Sequence, residues 1–261
     1  MITAGIDMGI QSVKIVILKD GKTLSRGQAF SGFEPAKAAE QAFEEALEKA
    51  GLSRSDVEHI TVTGAGADMA PYSDSKINMV KAAARAGAYY FPSAGTVIDI
   101  GAEEARAVRY DEKGTMLGFV LNERCAAGAG TFIETMARAL EVKLEEMGPL
   151  SLKAEKASPI NATCVIFGES DVITMIHRQE SKPEIARAIF DALADRISSM
   201  LYRLGISSSV VLIGGVAKDI GFVASLERKL GVDLLIPEHP EFAGALGAAL
   251  DAAKRVGGGK E

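Results

Sequence analysis

The segment Ile6-Asp7-Met8-Gly9 recurs in the second part of the chain as Ile98-Asp99-Ile100-Gly101. A similar turn follows each copy, Asp20-Gly21-Lys22-Thr23-Leu24 after the first and Lys113-Gly114-Thr115-Met116-Leu117 after the second. Both copies therefore predict a strand that ends in Asp-x-Gly, a second strand, a hairpin turn and a third strand. A helix follows this pattern, so we interpret the chain as a duplicated β-β-β-α unit with an α/β fold.

The remaining segments predict mostly helices. An Ala/Glu-rich helix is expected over Pro35–Ala50, ended by Gly51, and another over about 74–90. The segment Thr131-Phe132-Ile133-Glu134 has the residue types of a capping box, which predicts a helix start at that point. Further strands are expected at 60–63, 210–213 and 233–236, and further helices at 169–179, 183–204, 218–230 and 242–253.

Length and composition limit the class of protein. The chain has 261 residues, which at about 150 residues per domain indicates one large domain or two small ones. A net charge of −6 gives no electrostatic reason to expect nucleic acid or an anionic membrane as partner. No apolar run approaches the roughly 20 residues of a membrane-spanning helix, and the N-terminus does not resemble a signal peptide. We therefore expect a cytoplasmic protein that binds neither nucleic acid nor membrane.

The cysteine count is low. Cys125 and Cys164 are the only two cysteines. This number excludes a disulfide-rich secreted scaffold and a four-cysteine metal site within one chain.

The glycine and acidic clusters point to a nucleotide. Asp7 and Asp99 end their strands, where carboxylates can hold a hydrated Mg²⁺ ion with few direct protein ligands. Glycines beside them let backbone N–H groups approach phosphate, and Lys14 can add a positive charge. The turn Gly214-Gly215 follows a predicted strand and suits a ribose or adenine with its α-phosphate.

Four motifs resemble those of the actin, Hsp70 and sugar-kinase superfamily. They are the phosphate-1 motif at Asp7–Lys14, the phosphate-2 motif at Asp99-Ile100-Gly101, the adenosine motif at Leu212–Ala217 and the second connecting helix at Gly244–Ala249. The resemblance implies two ribonuclease-H-like domains, residues 1–93 with 243–261 and residues 94–242, with ATP in the cleft between them. It implies ATP-binding roles for Gly9, Ser12, Lys14, Gly101, Gly128, Gly130, Gly214 and Gly215.

The segments around the two cysteines narrow the family. Residues 122–132 and 162–170 resemble signatures of the BadF/BadG/BcrA/BcrD ATPase family. That resemblance implies a dimer that shares one [4Fe–4S] cluster, with Cys125 and Cys164 donated by each protomer. The arithmetic agrees, because such a cluster usually takes four thiolates and a two-fold dimer supplies two from each chain. Each cysteine also precedes a predicted helix start, where negative charge is favoured.

The phosphate-2 segment indicates which branch of the family the chain resembles. Activators of 2-hydroxyacyl-CoA dehydratases usually read Asp-Ile-Gly-Gly-Gln-Asp, whereas this chain has Asp99-Ile100-Gly101-Ala102-Glu103-Glu104. The departure resembles the smaller ATP-binding subunit, the D type, of ATP-dependent benzoyl-CoA reductase. It implies ferredoxin as electron donor, a homologous ATP-binding subunit as dimer partner and separate catalytic subunits that reduce the acyl-CoA. Glu103 or Glu104 would then act as a base or as a Mg²⁺ ligand in hydrolysis, together with Asp7 and Asp99.

Three other functions are compatible with these residues. The first is a homodimeric activator of a 2-hydroxyacyl-CoA dehydratase, with the same chemistry. The second is a sugar or acyl kinase of the same superfamily without a cluster. The third is a nucleotide-binding regulator without catalytic activity.

Overall fold

A computed structural model describes residues 1–122, 130–161, 164–205 and 209–258. Two of the predicted ligand residues, Cys125 and Gly128, lie outside this described part of the chain. The chain divides into two compact units. The first contains residues 1–95, 109–117 and 241–261, and the second contains residues 96–108 and 118–240.

Among the described residues, ten strands form two five-stranded sheets. The first sheet has the order β3-β2-β1-β4-β5 and the second the order β8-β7-β6-β9-β10. The strands are β1 (Ile2–Met8), β2 (Ser12–Lys19), β3 (Lys22–Phe30), β4 (His59–Thr63), β5 (Ser75–Lys76), β6 (Thr96–Ile100), β7 (Ala105–Tyr110), β8 (Met116–Asn122), β9 (Val210–Ile213) and β10 (Leu234–Leu235). The two orders correspond strand for strand, which confirms the predicted duplication and the α/β fold.

Eight α-helices accompany the sheets in the described part of the chain. They are α1 (Pro35–Ala50), α2 (Met79–Tyr90), α3 (Gly130–Ala139), α4 (Leu144–Ser151), α5 (Val165–His177), α6 (Lys182–Leu204), α7 (Ile220–Leu230) and α8 (Ala243–Val256). Helix α1 matches its predicted range, with Gly51 in the left-handed conformation at its end. None of these helices combines the length and the apolar character that crossing a membrane requires.

Two predicted helix starts, those of α2 and α5, are wrong by several residues. The helix expected from about residue 74 begins at Met79, because the Asn78 side chain accepts a hydrogen bond from the Lys81 backbone and caps it there. The start of α3 at Gly130 is one residue from the start predicted at Thr131, so Thr131 lies inside the helix and is not its N-cap residue. The Thr131 hydroxyl donates instead to the carbonyl oxygen of Ala102, in a loop distant in sequence.

Each unit has its own hydrophobic core. In the first, strand residues such as Ile6 and Ile15 pack with Phe43 of α1. In the second, three fully buried rings of Phe132, Phe190 and Phe222 pack between helices and sheet. These cores bury one face of each sheet, so the strand ends that carry the acidic residues are held on rigid supports.

A buried carboxylate anchors α8 in the first unit. Asp251 has a side chain that is 3% exposed and forms ion pairs with Arg85 of α2 and Arg255 of α8. Its Oδ2 atom accepts a hydrogen bond from the Thr61 hydroxyl of β4 at 3.3 Å. The carboxylate therefore ties α8 to both a neighbouring helix and the sheet.

Replacing Asp251 by Asn should lower the free energy of unfolding by about 3–5 kcal/mol, because the buried Arg85 guanidinium loses its counter-ion. Asp195→Asn is the matched control, since its ion pair with Lys229 is about half exposed and should contribute no more than about 1 kcal/mol. Urea unfolding followed by circular dichroism measures both. Equal losses in the two variants would contradict this account.

Candidate functional site

The Asp7 carboxylate lies at the end of β1, beside two close backbone approaches. In the parallel pairing of β1 with β4, Asp7 lies opposite Thr63, and Gly64 follows directly. A Cβ atom on Gly64 would lie 2.6 Å from Asp7 Oδ1, and Gly64 has φ +96°. A Cβ atom on Gly244 would lie 2.6 Å from Asp7 Oδ2. The carboxylate therefore occupies space that only glycine leaves at both positions.

The predicted phosphate-1 residues come together next to this carboxylate. Lys14 on β2 lies directly opposite Asp7 in the antiparallel register. Its Nζ atom is 3.4 Å from the Ser12 carbonyl oxygen and 3.7 Å from the position of a Cβ on Gly9. Asp7, Gly9, Ser12 and Lys14 are all half-buried, so their polar groups are partly open to solvent. The cluster fits a phosphate and a hydrated Mg²⁺ ion.

The second repeat builds the same arrangement around Asp99. In the parallel pairing of β6 with β9, Asp99 lies opposite Ile213, and Gly214 follows with φ +90°. A Cβ atom on Gly214 would lie 2.7 Å from Asp99 Oδ1 and 2.3 Å from the carbonyl oxygen of Ile100. Gly215 meets no atom within 4 Å at its Cβ position, which leaves its backbone open to a ligand.

The loop that follows Asp99 is fastened to the start of α3. The N–H of Gly130 donates to the Gly101 carbonyl at 2.9 Å, and the N–H of Thr131 donates to the Ala102 carbonyl at 2.8 Å. The predicted ligands Asp99, Gly101, Gly130 and Gly214 are thus brought together within the second unit. A side chain at position 130 would require its neighbours to shift, since a Cβ there would lie 3.3 Å from the carbonyl oxygen of Gly101.

An arginine that sequence analysis missed joins two of the predicted acidic residues. Arg106 on β7 donates from Nη1 to Asp99 Oδ2 at 2.5 Å and from Nη2 to Glu104 Oε2 at 2.8 Å. Its side chain is only 9% exposed. Burial alone would lower the pKa of Arg106, but the charges of Asp99 and Glu104 outweigh it and raise the pKa above the ordinary value.

The repeat contains a signal that could have identified Arg106 from the sequence. Lys14 comes seven positions after Asp7, and Arg106 comes seven positions after Asp99. Comparing the two copies residue by residue, and not only strand by strand, identifies Arg106 as the counterpart of Lys14. Glu103 lies exposed in the loop, whereas Glu104 is engaged with the guanidinium.

Cys164 is the N-cap residue of α5 and is half-buried. The helix therefore begins directly after this cysteine, several residues earlier than predicted. A helix N-terminus carries a partial positive charge, so negative charge is favoured near this position. Within the described ranges, no group of three or more His, Cys, Asp or Glu side chains is arranged to hold a metal ion.

The phosphate-2 loop and Cys164 are connected through α3. The Phe132 ring on α3 packs against Gly168 of α5, where a Cβ atom would lie 3.0 Å from the ring. The Gly168 N–H in turn donates to the Cys164 carbonyl at 3.0 Å. A short run of direct contacts thus joins the loop after Asp99 to the helix that carries the cysteine.

The fold is also found in a sugar kinase. A ROK family glucokinase from Streptomyces griseus, 16% identical, matches it with a TM-score of 0.59 over 97% of this chain and 100% of the glucokinase chain, a likeness of fold alone. The chain belongs to the BadF/BadG/BcrA/BcrD ATPase family, which it matches over residues 4–252. The family resemblance found in the sequence is thereby confirmed.

Individual relatives are similar over nearly their whole length. The chain is 38% identical to the activator of lactoyl-CoA dehydratase from Anaerotignum propionicum, over 97% of both chains. It is 37% identical to the D-type subunit of benzoyl-CoA reductase from Thauera aromatica, over 97% of this chain and 94% of that one. The structure of the activator of 2-hydroxyisocaproyl-CoA dehydratase from Clostridium difficile, with bound ADPNP, is 34% identical and has a TM-score of 0.92 over 100% of this chain and 98% of that one. These relatives support the activator alternative better than the reductase component that the phosphate-2 segment favoured.

Replacing Gly214 by Ala should destabilise the protein by about 1–3 kcal/mol, because alanine at φ +90° is strained and its Cβ overlaps Ile100 and Asp99. Gly215→Ala is the adjacent control for stability, since its Cβ meets open space. Thermal unfolding of the two variants measures the difference. A Gly214→Ala protein as stable as Gly215→Ala would show that the close approach at Asp99 is not rigid.

Proposed function

We propose that this protein is an ATP-hydrolysing activator that passes electrons, through an iron–sulfur cluster shared by two copies, to a 2-hydroxyacyl-CoA dehydratase. The observation that carries the proposal is Cys164 at the start of α5, on a helix that exposes four large apolar side chains. Two cysteines per chain and similarity to dehydratase activators over nearly the whole chain support it.

The outer side of α5 is suited to contact another chain. Ile166 and Phe167, two and three residues after Cys164, are 72% and 58% exposed, and Ile173 and Ile176 are also exposed. Apolar side chains grouped in this way on a surface favour burial against a partner. Burial would also keep water from a cluster bound at Cys164 and so affect its potential.

The ligand roles proposed for the nucleotide follow from the two repeats. Asp7 and Asp99 would bind Mg²⁺ through water, and the glycines beside them would admit phosphate to the backbone. Lys14 would contact a phosphate oxygen, and the open backbone at Gly215 would face the adenosine. The similarity to an activator whose structure contains ADPNP supports these roles.

Cys164, with Cys125, would hold half of a [4Fe–4S] cluster, and a second copy would supply the other half. When bound, the cluster supplies one-electron transfer at low potential. The contacts of α3 with both the loop after Asp99 and α5 offer a physical route by which hydrolysis changes the surroundings of Cys164. Ferredoxin is the donor that the family resemblance suggests.

Cys164→Ser should abolish the cluster, because a dimer then retains only two of four thiolates. Iron and sulfide content and the EPR spectrum of dithionite-reduced protein, prepared without oxygen, measure this. Ser170→Ala, an exposed position on the same helix, serves as control and should keep the cluster. Full iron content and an unchanged spectrum in Cys164→Ser would refute the ligand assignment.

A second candidate is the smaller ATP-binding component of a benzoyl-CoA reductase, favoured by the Ala102-Glu103-Glu104 segment and the 37% identity to the D-type relative. An activator should start dehydration by a purified dehydratase at about one-tenth of the dehydratase concentration, because each delivered electron supports many turnovers. Isolation in a stoichiometric complex with a larger homologue and two further subunits would favour the reductase. Colourless protein that phosphorylates a small molecule would refute both in favour of a kinase.

A further inference from the structure

The cations of the two repeats have the same position but different surroundings. Lys14 lies opposite Asp7 in the β1–β2 register, and the bond from the Gly101 N–H to the Glu104 carbonyl places Arg106 opposite Asp99 in the same way. Side chains directly opposite in antiparallel strands lie on the same face of the sheet. Each repeat therefore pairs a strand-end carboxylate with a cation.

The Lys14 side chain is free enough to move and contact a bound ligand. It is half-buried, and its ammonium group lies near the backbone of the phosphate-1 loop, at Ser12 and Gly9. A flexible four-carbon stem lets such a group move to an incoming phosphate.

Arg106 has no comparable freedom. Its guanidinium is nearly buried, and each of its two Nη atoms donates to a different carboxylate. The planar fork fixes the direction of both bonds, so moving it towards a ligand would leave two carboxylates without this partner.

The two hydrogen bonds of the Arg106 guanidinium, a planar fork, also limit rotation of the Asp99 carboxylate. Oδ2 of Asp99 accepts from Arg106, while Oδ1 lies in the space left by Gly214. Holding both oxygens presents the carboxylate in one orientation, and such support of a ligating group preserves its productive geometry.

We propose that Arg106 is a positioning residue that orients Asp99 for Mg²⁺-dependent ATP hydrolysis and does not itself bind phosphate, with Glu104 as the second anchor of the fork. The two cations of the duplicated unit have thus diverged, Lys14 towards the nucleotide and Arg106 towards the carboxylate. The inference rests on the ATP-hydrolysing part of the proposed function and is independent of the partner.

Loss of Arg106 should therefore affect ATP turnover and the binding of ATP and metal differently. Without the fork, Asp99 can rotate, and a misplaced group slows a reaction strongly. Metal binding should not weaken, because removing a nearby positive charge favours a cation. A residue that contacted phosphate would instead raise the KM for ATP when lost.

The test compares Arg106→Gln, Arg106→Lys, Glu104→Gln and Lys14→Gln in the full chain, prepared without oxygen. ATP hydrolysis gives kcat and the KM for ATP. EPR of free Mn²⁺ in the presence of ADP gives metal binding without turnover, and thermal unfolding checks the fold.

We expect kcat of Arg106→Gln to fall by about tenfold or more, with the KM for ATP within about threefold of the wild type and Mn²⁺ binding equal or tighter. Arg106→Lys should recover about threefold of the lost kcat but stay below the wild type, and Glu104→Gln should lose less than Arg106→Gln, because each keeps one charged bond to Asp99. Lys14→Gln should raise the KM by about tenfold, as loss of a charged hydrogen bond does.

A rise of about tenfold in the KM of Arg106→Gln with kcat retained would overturn the proposal in favour of a phosphate ligand. Weaker Mn²⁺ binding together with a lower melting temperature would overturn it in favour of a structural role. If Arg106→Gln does not fold, Arg106→Lys decides, because lower kcat at unchanged KM supports the proposal and wild-type kcat refutes it. A wild-type protein that hydrolyses ATP but activates no dehydratase would refute the proposed function alone.

Discussion

The carboxylates of Asp7 and Asp99, each at the end of a strand, lie against a glycine. Any side chain at that glycine would overlap the carboxylate. Gly64 and Gly214 each follow a parallel strand, have a positive φ and bring their backbone against Asp7 or Asp99. The parallel pairing of the neighbouring strand sets this distance, so sheet register, glycine and carboxylate form one constraint. In each unit, the loop after the carboxylate and the cation opposite it lie next to this constraint.

The duplication explains why the two halves have the same strand order. They differ in the cation that lies opposite the acidic strand end. Both sheets have the same strand order, and both pair an acidic strand end with a cation on the next strand. In the first half the cation is a half-buried lysine, and in the second it is a nearly buried arginine shared by Asp99 and Glu104. The substitution changes the number and direction of hydrogen bonds that the cation makes, while the charge stays the same.

Contacts of α3 in the second unit connect the loop after Asp99 to the helix that begins at Cys164. Thr131 shows why the connection could not be anticipated: its residue type suits a local capping box, but its hydroxyl bonds a loop residue about thirty positions earlier. A long-range hydrogen bond of this kind depends on where the sheet places the loop, and local residue preferences carry no information about that. The same reason applies to Phe132, whose position on an apolar helix face is predictable while its contact with Gly168 is not.

The sequence by itself determined the duplication, the α/β class, the family and most helices, because periodicity and turn residues act locally and the motifs recur at fixed spacing. It also predicted Asp7, Asp99 and the glycines beside them as residues of a nucleotide site. Only the tertiary structure decided that Glu104 is engaged by Arg106, that Gly64 and Gly244 confine Asp7, and that α5 begins directly after Cys164. These features arise from contacts between residues far apart in the chain, whose energies depend on distance and burial after folding.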